Sequence, residues 1–493
     1  MTAFASTQPR ALFALGFTEA FERFAYYATR ASLALYVAKT LSDPEFDCAS
    51  VFAMCAIANA ASGCDFDRTS AYFANDFDGT RRRTCAEAAS ARAYAWYAAA
   101  TYATPVIGGV LADCALGAHR SAVIGATIMA IGYGVMSRAR WFFVGLALAC
   151  LGNGAFKPSM STQLSALYAK GDPRRDQGFS IFYCCINVGA FFSPLVAGTV
   201  RVYFGYGAAF ASAAIGMAFA LAIYTTNRRD IVDSSVRARE PPTLGMDDDD
   251  GELAMDTTPL VATPAVAMSS SASLANMVDL TRAHATAMTA TLIVCLVGVA
   301  FSVVYEQQGS TLMIFADEHV NLHGMPTEFI AALNPALVLA LTPVVTMAWE
   351  RQSRANAEPH QLTKITIGCG LLALSYAILM FGALPVDSHA SPVRVSLIWI
   401  VLNQVFLTAG ELFTFPVALS YISKLAPEGL LSANIGLWFG SYFFGNYFSG
   451  LLGSTYPTFA TPSGFFALLA TFAGSLCFAL VLVSHPLRRR CPA

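Results

Sequence analysis

The 493 residues carry a formal net charge of −2; 56% are hydrophobic and only 13% are Asp, Glu, Lys or Arg. Soluble domains carry about a quarter of their residues as those four types, so the composition excludes a soluble enzyme and describes a chain solvated mainly by lipid. A nearly balanced charge leaves no electrostatic footprint for nucleic acid.

Crossing a bilayer core takes about 20 apolar helical residues. Twelve windows meet that need, at roughly 11–40, 91–112, 119–138, 141–163, 178–200, 204–226, 286–316, 328–350, 362–384, 394–424, 431–453 and 463–485. The first is long, charged and followed by further spans, so it reads as a span and not as a cleaved leader. Two polar segments interrupt the series. Residues 43–90 form an Asp-rich loop with Cys48, Cys55, Cys64 and Cys85, able to form disulfides in an oxidising compartment, with the pairing open. Residues 228–285, with Glu240-Pro-Pro, Asp247 to Asp250 and Ser269 to Ser271, read as a disordered linker. Cys184 and Cys185 read as small packing residues, and no Cys/His spacing suggests a metal.

The linker divides the helices six and six, into 1–227 and 286–493. Two six-helix bundles related by a pseudo-two-fold axis are the architecture of the major facilitator fold, so the expected class is an all-α membrane protein of that fold. With twelve spans both termini share a side. That side carries Arg174, Arg175, Arg228, Arg229, Arg351, Arg354 and Arg488 to Arg490, whereas the opposite short loops hold only Arg138, Arg140, Arg201 and Arg394. Both termini therefore read as cytoplasmic, in a multi-pass protein assigned to the plasma membrane in preference to an endomembrane.

Ionisable residues at bilayer depth are functional candidates, because each costs roughly 2.5–3.5 kcal/mol on insertion scales. The first helix holds Glu19, Glu22, Arg23, Tyr26, Tyr27 and Arg30. Their spacing puts them on one stripe of a helix, and four charges facing lipid would cost roughly 10 kcal/mol. The stripe must face protein. A structural salt-bridge cluster is the plainer reading, but two Glu with two Arg is more charge than packing needs. Further polar positions are Asn153 and Lys157, Tyr183 and Asn187, Glu306 to Gln308, Asn334, and Asn403, Gln404 and Glu411. Taken singly, each Asn or Gln equally suits a helix–helix hydrogen bond.

The run Glu19-Ala-Phe-Glu22-Arg23-Phe24-Ala-Tyr26-Tyr27 resembles the E-x-x-E-R-F-x-Y-Y motif of the proton-coupled oligopeptide transporter family. The resemblance continues in family order through Tyr102 to Asp113, Gly152 to Pro158, Phe179 to Gly189, Glu306-Gln-Gln-Gly-Ser, Asn334-Pro, Gly410-Glu411-Leu, Ala426-Pro and Gly436-Leu-Trp438. It implies symport of protons with di- and tripeptides by alternating access. By that resemblance Glu411 pairs with the peptide ammonium, Arg30 and Lys157 with its carboxylate, and Asn187 and Asn334 with its backbone. Tyr26, Tyr27, Tyr102 and Trp438 line side-chain pockets, where aromatic walls accept many shapes. Proton coupling falls to Glu306 and to Glu19, Glu22 and Arg23. Burial raises a carboxylate pKa and a nearby cation lowers it, so a Glu that gains and loses a cation can take up and release a proton. The expectation is that Glu306 exchanges a proton for Arg30, while Glu22 and Arg23 pair with Lys157. Gly109, Asp113 and Gly117 resemble the facilitator gating loop. The coupling ion is H+, no cofactor or metal is implied, and the chain is expected to work as a monomer in the lipid bilayer.

The chain departs from the family in places. Ala95 stands where animal members carry a His, and Ser302 where an aromatic is usual. The helix pair that bacterial members insert between the halves is replaced by the linker, and the long first loop has no counterpart. Three rivals remain: the same fold moving nitrate or another small solute, a peptide receptor that does not cycle, and an intramembrane enzyme. Glu411 argues against the first, since a small anion has no ammonium for it to meet. No nucleophile–base pair supports the last.

Overall fold

The computed structural model describes residues 8–43, 46, 55–56, 58–59, 64–66, 79–168, 174–231, 285–387, 393–425 and 431–490. Most of the expected linker, and most of the first loop with Cys48, lie outside the described residues. Four helices come first: α1 (Arg10–Ser42), α2 (Thr80–Leu111), α3 (Gly117–Met136) and α4 (Phe142–Ala166). Arg175–Thr226 is one helical run that Gly205 divides into α5 (175–204) and α6 (206–226). The seventh span is broken into α7a (Ala285–Tyr305), a 3-10 turn Glu306–Gly309, and α7b (Thr311–His319). Then follow α8 (Leu333–Arg354), α9 (Gln361–Asp387), α10 (Ile398–Leu425), α11 (Leu431–Gly453) and α12 (Pro462–Arg490).

Among the described residues, seven helical stretches are apolar and long enough to cross a membrane on length and composition alone. One of them, Gly178–Thr226, contains two spans. Gly205 takes φ 81°, where a residue with a Cβ is strained, and the chain folds back there. Ser193 before the bend donates to the Phe24 carbonyl, and Gly216 beyond it abuts the Phe24 ring. The four helices outside that set, α1, α2, α3 and α11, are legible as spans from their place in the bundle.

Each half has its own core. Tyr36, Phe142 and Phe210 sit at the centre of the first, with Tyr36 4.5 Å from Phe142 between ring centroids; Tyr376, Phe465 and Phe466 sit in the second. In lipid, helices associate by close packing and not by the hydrophobic effect. Accordingly α3 and α4 meet through Gly125 and Gly132 against Gly145 and Gly152, where an added Cβ would stand within 3 Å of the partner backbone. A short parallel pair, Val320–Asn321 with Val395–Ser396, ties the second half together at the end away from the chain termini, called here the far end.

One boundary differs clearly from the sequence reading. The second helix starts at Thr80 and not near 91. Arg81 to Arg83 end the apolar window, but a helix needs no lipid where its charges have partners. Arg82 donates to the Leu41 carbonyl at 2.8 Å, and Cys85 is disulfide-bonded to Cys64. Cys55 is disulfide-bonded as well. Of the adjacent pair of membrane cysteines, Cys185 packs on Gly16, whereas Cys184 is exposed.

Candidate functional site

The stripe on α1 divides into two charge clusters. In the first, Glu19, Glu22 and Arg23 are at most 6% exposed. The Arg23 guanidinium forks onto both Glu22 oxygens, and its Nε lies 3.7 Å from Glu19 Oε1. It also covers the Tyr26 ring at 4.6 Å. Lys157 on α4 senses all three charges, yet forms no ion pair with a described residue. Its ammonium sits 5.8 Å from the centroid of Tyr102. The expected pairing of Glu22 and Arg23 with Lys157 is therefore replaced by the Arg23–Glu22 fork, which leaves the Lys157 ammonium uncommitted. Adjacent helical residues do not normally face each other; here the length of the Arg side chain lets it turn back.

The second cluster joins the halves. Arg30 of α1 donates through Nη2 to Glu306 Oε2, at the break in the seventh span, and through Nε to the Tyr94 hydroxyl of α2. Tyr94 in turn donates to the same Glu306 oxygen at 3.3 Å. The guanidinium lies 5.8 Å from the Tyr27 centroid. Tyr94 comes this close because Gly309 has no side chain: a Cβ there would collide with the Tyr94 hydroxyl. The sequence drew attention to Ala95 and missed its neighbour. Ala95 packs against Gly450 of α11.

On the opposite wall, Asn334 of α8 donates to Glu411 of α10 at 2.8 Å and to Thr408 at 3.0 Å. Tyr27, Arg30, Tyr305, Gln308, Asn334 and Gln404 line a cavity of about 40 Å³ between the halves, room for one or two waters. Nearer the termini Tyr102 stacks on Tyr442 of α11 at 5.2 Å, and Tyr442 leads to Trp438 at 5.4 Å and Phe415 at 5.1 Å. Tyr442 is one turn beyond Trp438, a spacing that could have identified it. Trp438 itself is 1% exposed and packs on Gly298, so its ring lies behind the wall and not on it. Asn187 bonds the Tyr183 carbonyl of its own helix at 3.0 Å. Ser302 is buried against Gly445, a contact that leaves no space for an aromatic.

Cross-half ion pairs among the described residues all lie in the far half. Besides Arg30–Glu306 they are Lys39–Asp317 at 2.8 Å, Arg83–Glu318, and Arg201–Glu328 with Glu328 fully buried. The far end is thus closed. At the termini end, Gly109 packs beside Pro158, Asp113 lies in a π-helical turn (Ala112–Leu116), and Gly117 follows at φ 73°. The Asp113 side chain is outside what the structure describes. Just beyond, His119 meets the Tyr224 hydroxyl at 2.6 Å, and Tyr224 donates to Gln163, tying α3, α4 and α6.

Comparison with known proteins places this architecture. The family model described as the POT family matches residues 119–233 and 257–464. A protein named peptide transporter YePEPT, from Yersinia enterocolitica, is 29% identical over 72% of this chain and 77% of its own. A di-/tripeptide transporter of Lactococcus lactis is 27% identical over 88% and 86%. The crystal structure of a peptide transporter POT in complex with sulfate superposes with TM-score 0.73 at 22% identity, over 98% of this chain and 96% of that one, which shows the shared fold. The family model matches well over half of the chain, and the protein belongs to the POT family of proton-coupled oligopeptide transporters.

Proposed function

We propose that the protein carries di- and tripeptides inward with protons by alternating access, with both termini cytoplasmic, in the plasma membrane, as a monomer. The observation that carries this reading is the Arg30–Glu306 pair across the two halves, in a cavity shared with Asn334 and, through it, Glu411. The names of the relatives support the peptide substrate.

The chemistry follows from the charges. A short peptide is a zwitterion with one group at each end. Glu411 in the second half receives its ammonium; Arg30 and Lys157 in the first half receive its carboxylate. Peptide binding therefore draws the halves together. While Arg30 is held by Glu306 its charge is already matched, and a peptide carboxylate must compete with that carboxylate for it. A proton arriving on Glu306 removes that competition, so proton uptake precedes peptide binding. Glu19, whose Oε2 is buried without a hydrogen-bond partner, is a second carrier, since a buried anionic oxygen without a donor is costly. The roughly 40 Å³ between the halves must widen to take a peptide, and movement of Arg30 away from Glu306 supplies that space. One proton crossing about 100 mV and one pH unit supplies roughly 2.3 + 1.4 kcal/mol, enough for accumulation of several-hundred-fold.

The test is uptake of labelled di-alanine into proteoliposomes under an inward proton gradient, beside Glu411→Gln and a nitrate control. Concentrative uptake that the variant loses supports the reading. Gradient-driven nitrate flux without peptide uptake overturns it.

A further inference from the structure

Between α2, the first turns of α4 and the last turns of α11, the lateral surface is hollowed into a groove of about 790 Å³. That is within the roughly 300–1,000 Å³ of ordinary ligand pockets. Trp96, Phe143, Leu146, Leu151 and Tyr447 supply its apolar and aromatic walls. Trp96 and Leu151 are 55% and 61% exposed, so the groove opens sideways. Trp96 meets Tyr447 edge-on at 5.2 Å, first half against second.

Among the described residues one charged residue lines this groove, Arg92. It has no ion pair or hydrogen bond with a described residue, and its Nε is buried without a partner. A guanidinium stays charged at any physiological pH, so it needs an anion from elsewhere. Its depth says where. The Arg92 Cα lies beside Gly450, three residues before α11 ends at Gly453, and Phe143 is the second residue of α4. Arg92 is therefore level with the far-end membrane boundary. Helical side chains lean toward the N-terminus of their helix, which for α2 is the far end. The guanidinium leans toward the headgroups while the apolar walls run toward the bilayer centre.

We propose that the groove binds an anionic phospholipid of the far-end leaflet, its phosphate on Arg92 and one acyl chain along Trp96, Leu146 and Leu151. The planar guanidinium fork matches phosphate oxygens. Among the described residues no carboxylate lines the groove to meet the ammonium of a zwitterionic headgroup, which favours a headgroup of net negative charge. Because the walls come from both halves, the bound lipid holds together the state with its far end closed.

The experiment titrates the purified full-length protein in detergent with phosphatidylglycerol or phosphatidylcholine of the same chains, reading the thermal midpoint and, by native mass spectrometry, bound lipid. Expected is a saturable rise with phosphatidylglycerol that phosphatidylcholine does not give. Arg92→Gln should weaken phosphatidylglycerol binding by about tenfold or more, and Leu151→Trp, which fills the groove without touching the charge, should remove the selective rise. Equal effects of the two lipids, selectivity that survives Arg92→Gln, or an equal rise with inorganic phosphate alone would each overturn the proposal.

Discussion

Arg30 and Glu306 are 276 residues apart in sequence, yet one guanidinium nitrogen of Arg30 donates directly to Glu306. Their side chains are 15% and 6% exposed. A pair so placed is a latch between the halves, and its energy depends on both members. Breaking a buried pair by removing one partner typically costs about 3–5 kcal/mol, whereas replacing both is often nearly neutral.

Glu306→Gln is therefore expected to uncouple transport without abolishing it. Exchange of labelled for unlabelled peptide across the membrane should persist. Accumulation under a proton gradient should fall from roughly several-hundred-fold to about one. Equal counterflow and driven uptake in parallel proteoliposome assays check this; retained accumulation moves the coupling to Glu19 or Glu22.

Arg30→Ala should lower stability by about 3–5 kcal/mol, because it leaves the Glu306 carboxylate buried without its cation. Arg30→Ala with Glu306→Ala should recover most of the loss. A double-mutant cycle on thermal midpoints measures the coupling, and an additive cycle would mean the two residues act independently.

For Glu411 the decisive ligand is a capped one. Glu411→Gln should reduce affinity for a free dipeptide by about 1.5–3 kcal/mol, the range for a hydrogen bond to a charged group. It should leave an N-acetylated dipeptide, which has no ammonium, at the same weak affinity as in the parent. Competition against labelled di-alanine reads both.

Arg201→Ala exposes a different balance. Glu328 is fully buried and paired with Arg201 across the halves. Without that cation the far-end closure loses a contact that only the closed state makes, so the population shifts toward far-end opening. Spin-label distances across the far end should lengthen in a larger fraction of molecules than in the parent. An unchanged distribution would mean that the other far-end pairs suffice.

Much of this arrangement was legible in the sequence. The spacing of Glu19, Glu22, Arg23, Tyr26, Tyr27 and Arg30 requires an inward-facing stripe whatever surrounds it, and the structure buries Glu19, Glu22, Arg23 and Tyr26. The apolar remainder of α1 divides: Phe21 packs 5.6 Å from Phe219 between ring centroids, whereas Phe17 is 56% exposed. What spacing does not contain is the choice among several opposite charges within reach. Glu22 could meet Arg23 or Lys157, and tertiary distances and side-chain length decide.

Tyr94 was illegible for a related reason. Tyr94, Tyr97 and Tyr102 look alike in the sequence of α2. Only the missing side chain of Gly309, more than 200 positions away, lets one of them reach the latch. Trp438 was misplaced because a membrane tryptophan suits a cavity wall and a packed seam equally, and Gly298 provides the seam. The start of α2 was lost because hydropathy detects lipid contact and not helicity.

The bend at Gly205 has a mechanical consequence. A single residue, not a loop, joins α5 to α6, and Arg201 stands one turn before it. The joint has no slack. A displacement of the far end of α5 when Arg201 lets go of Glu328 is passed directly to the start of α6, so the joined ends move together as one lever. An insertion of a few residues at Gly205 would put play in that lever, and the far end would part without dragging the rest of the first half along.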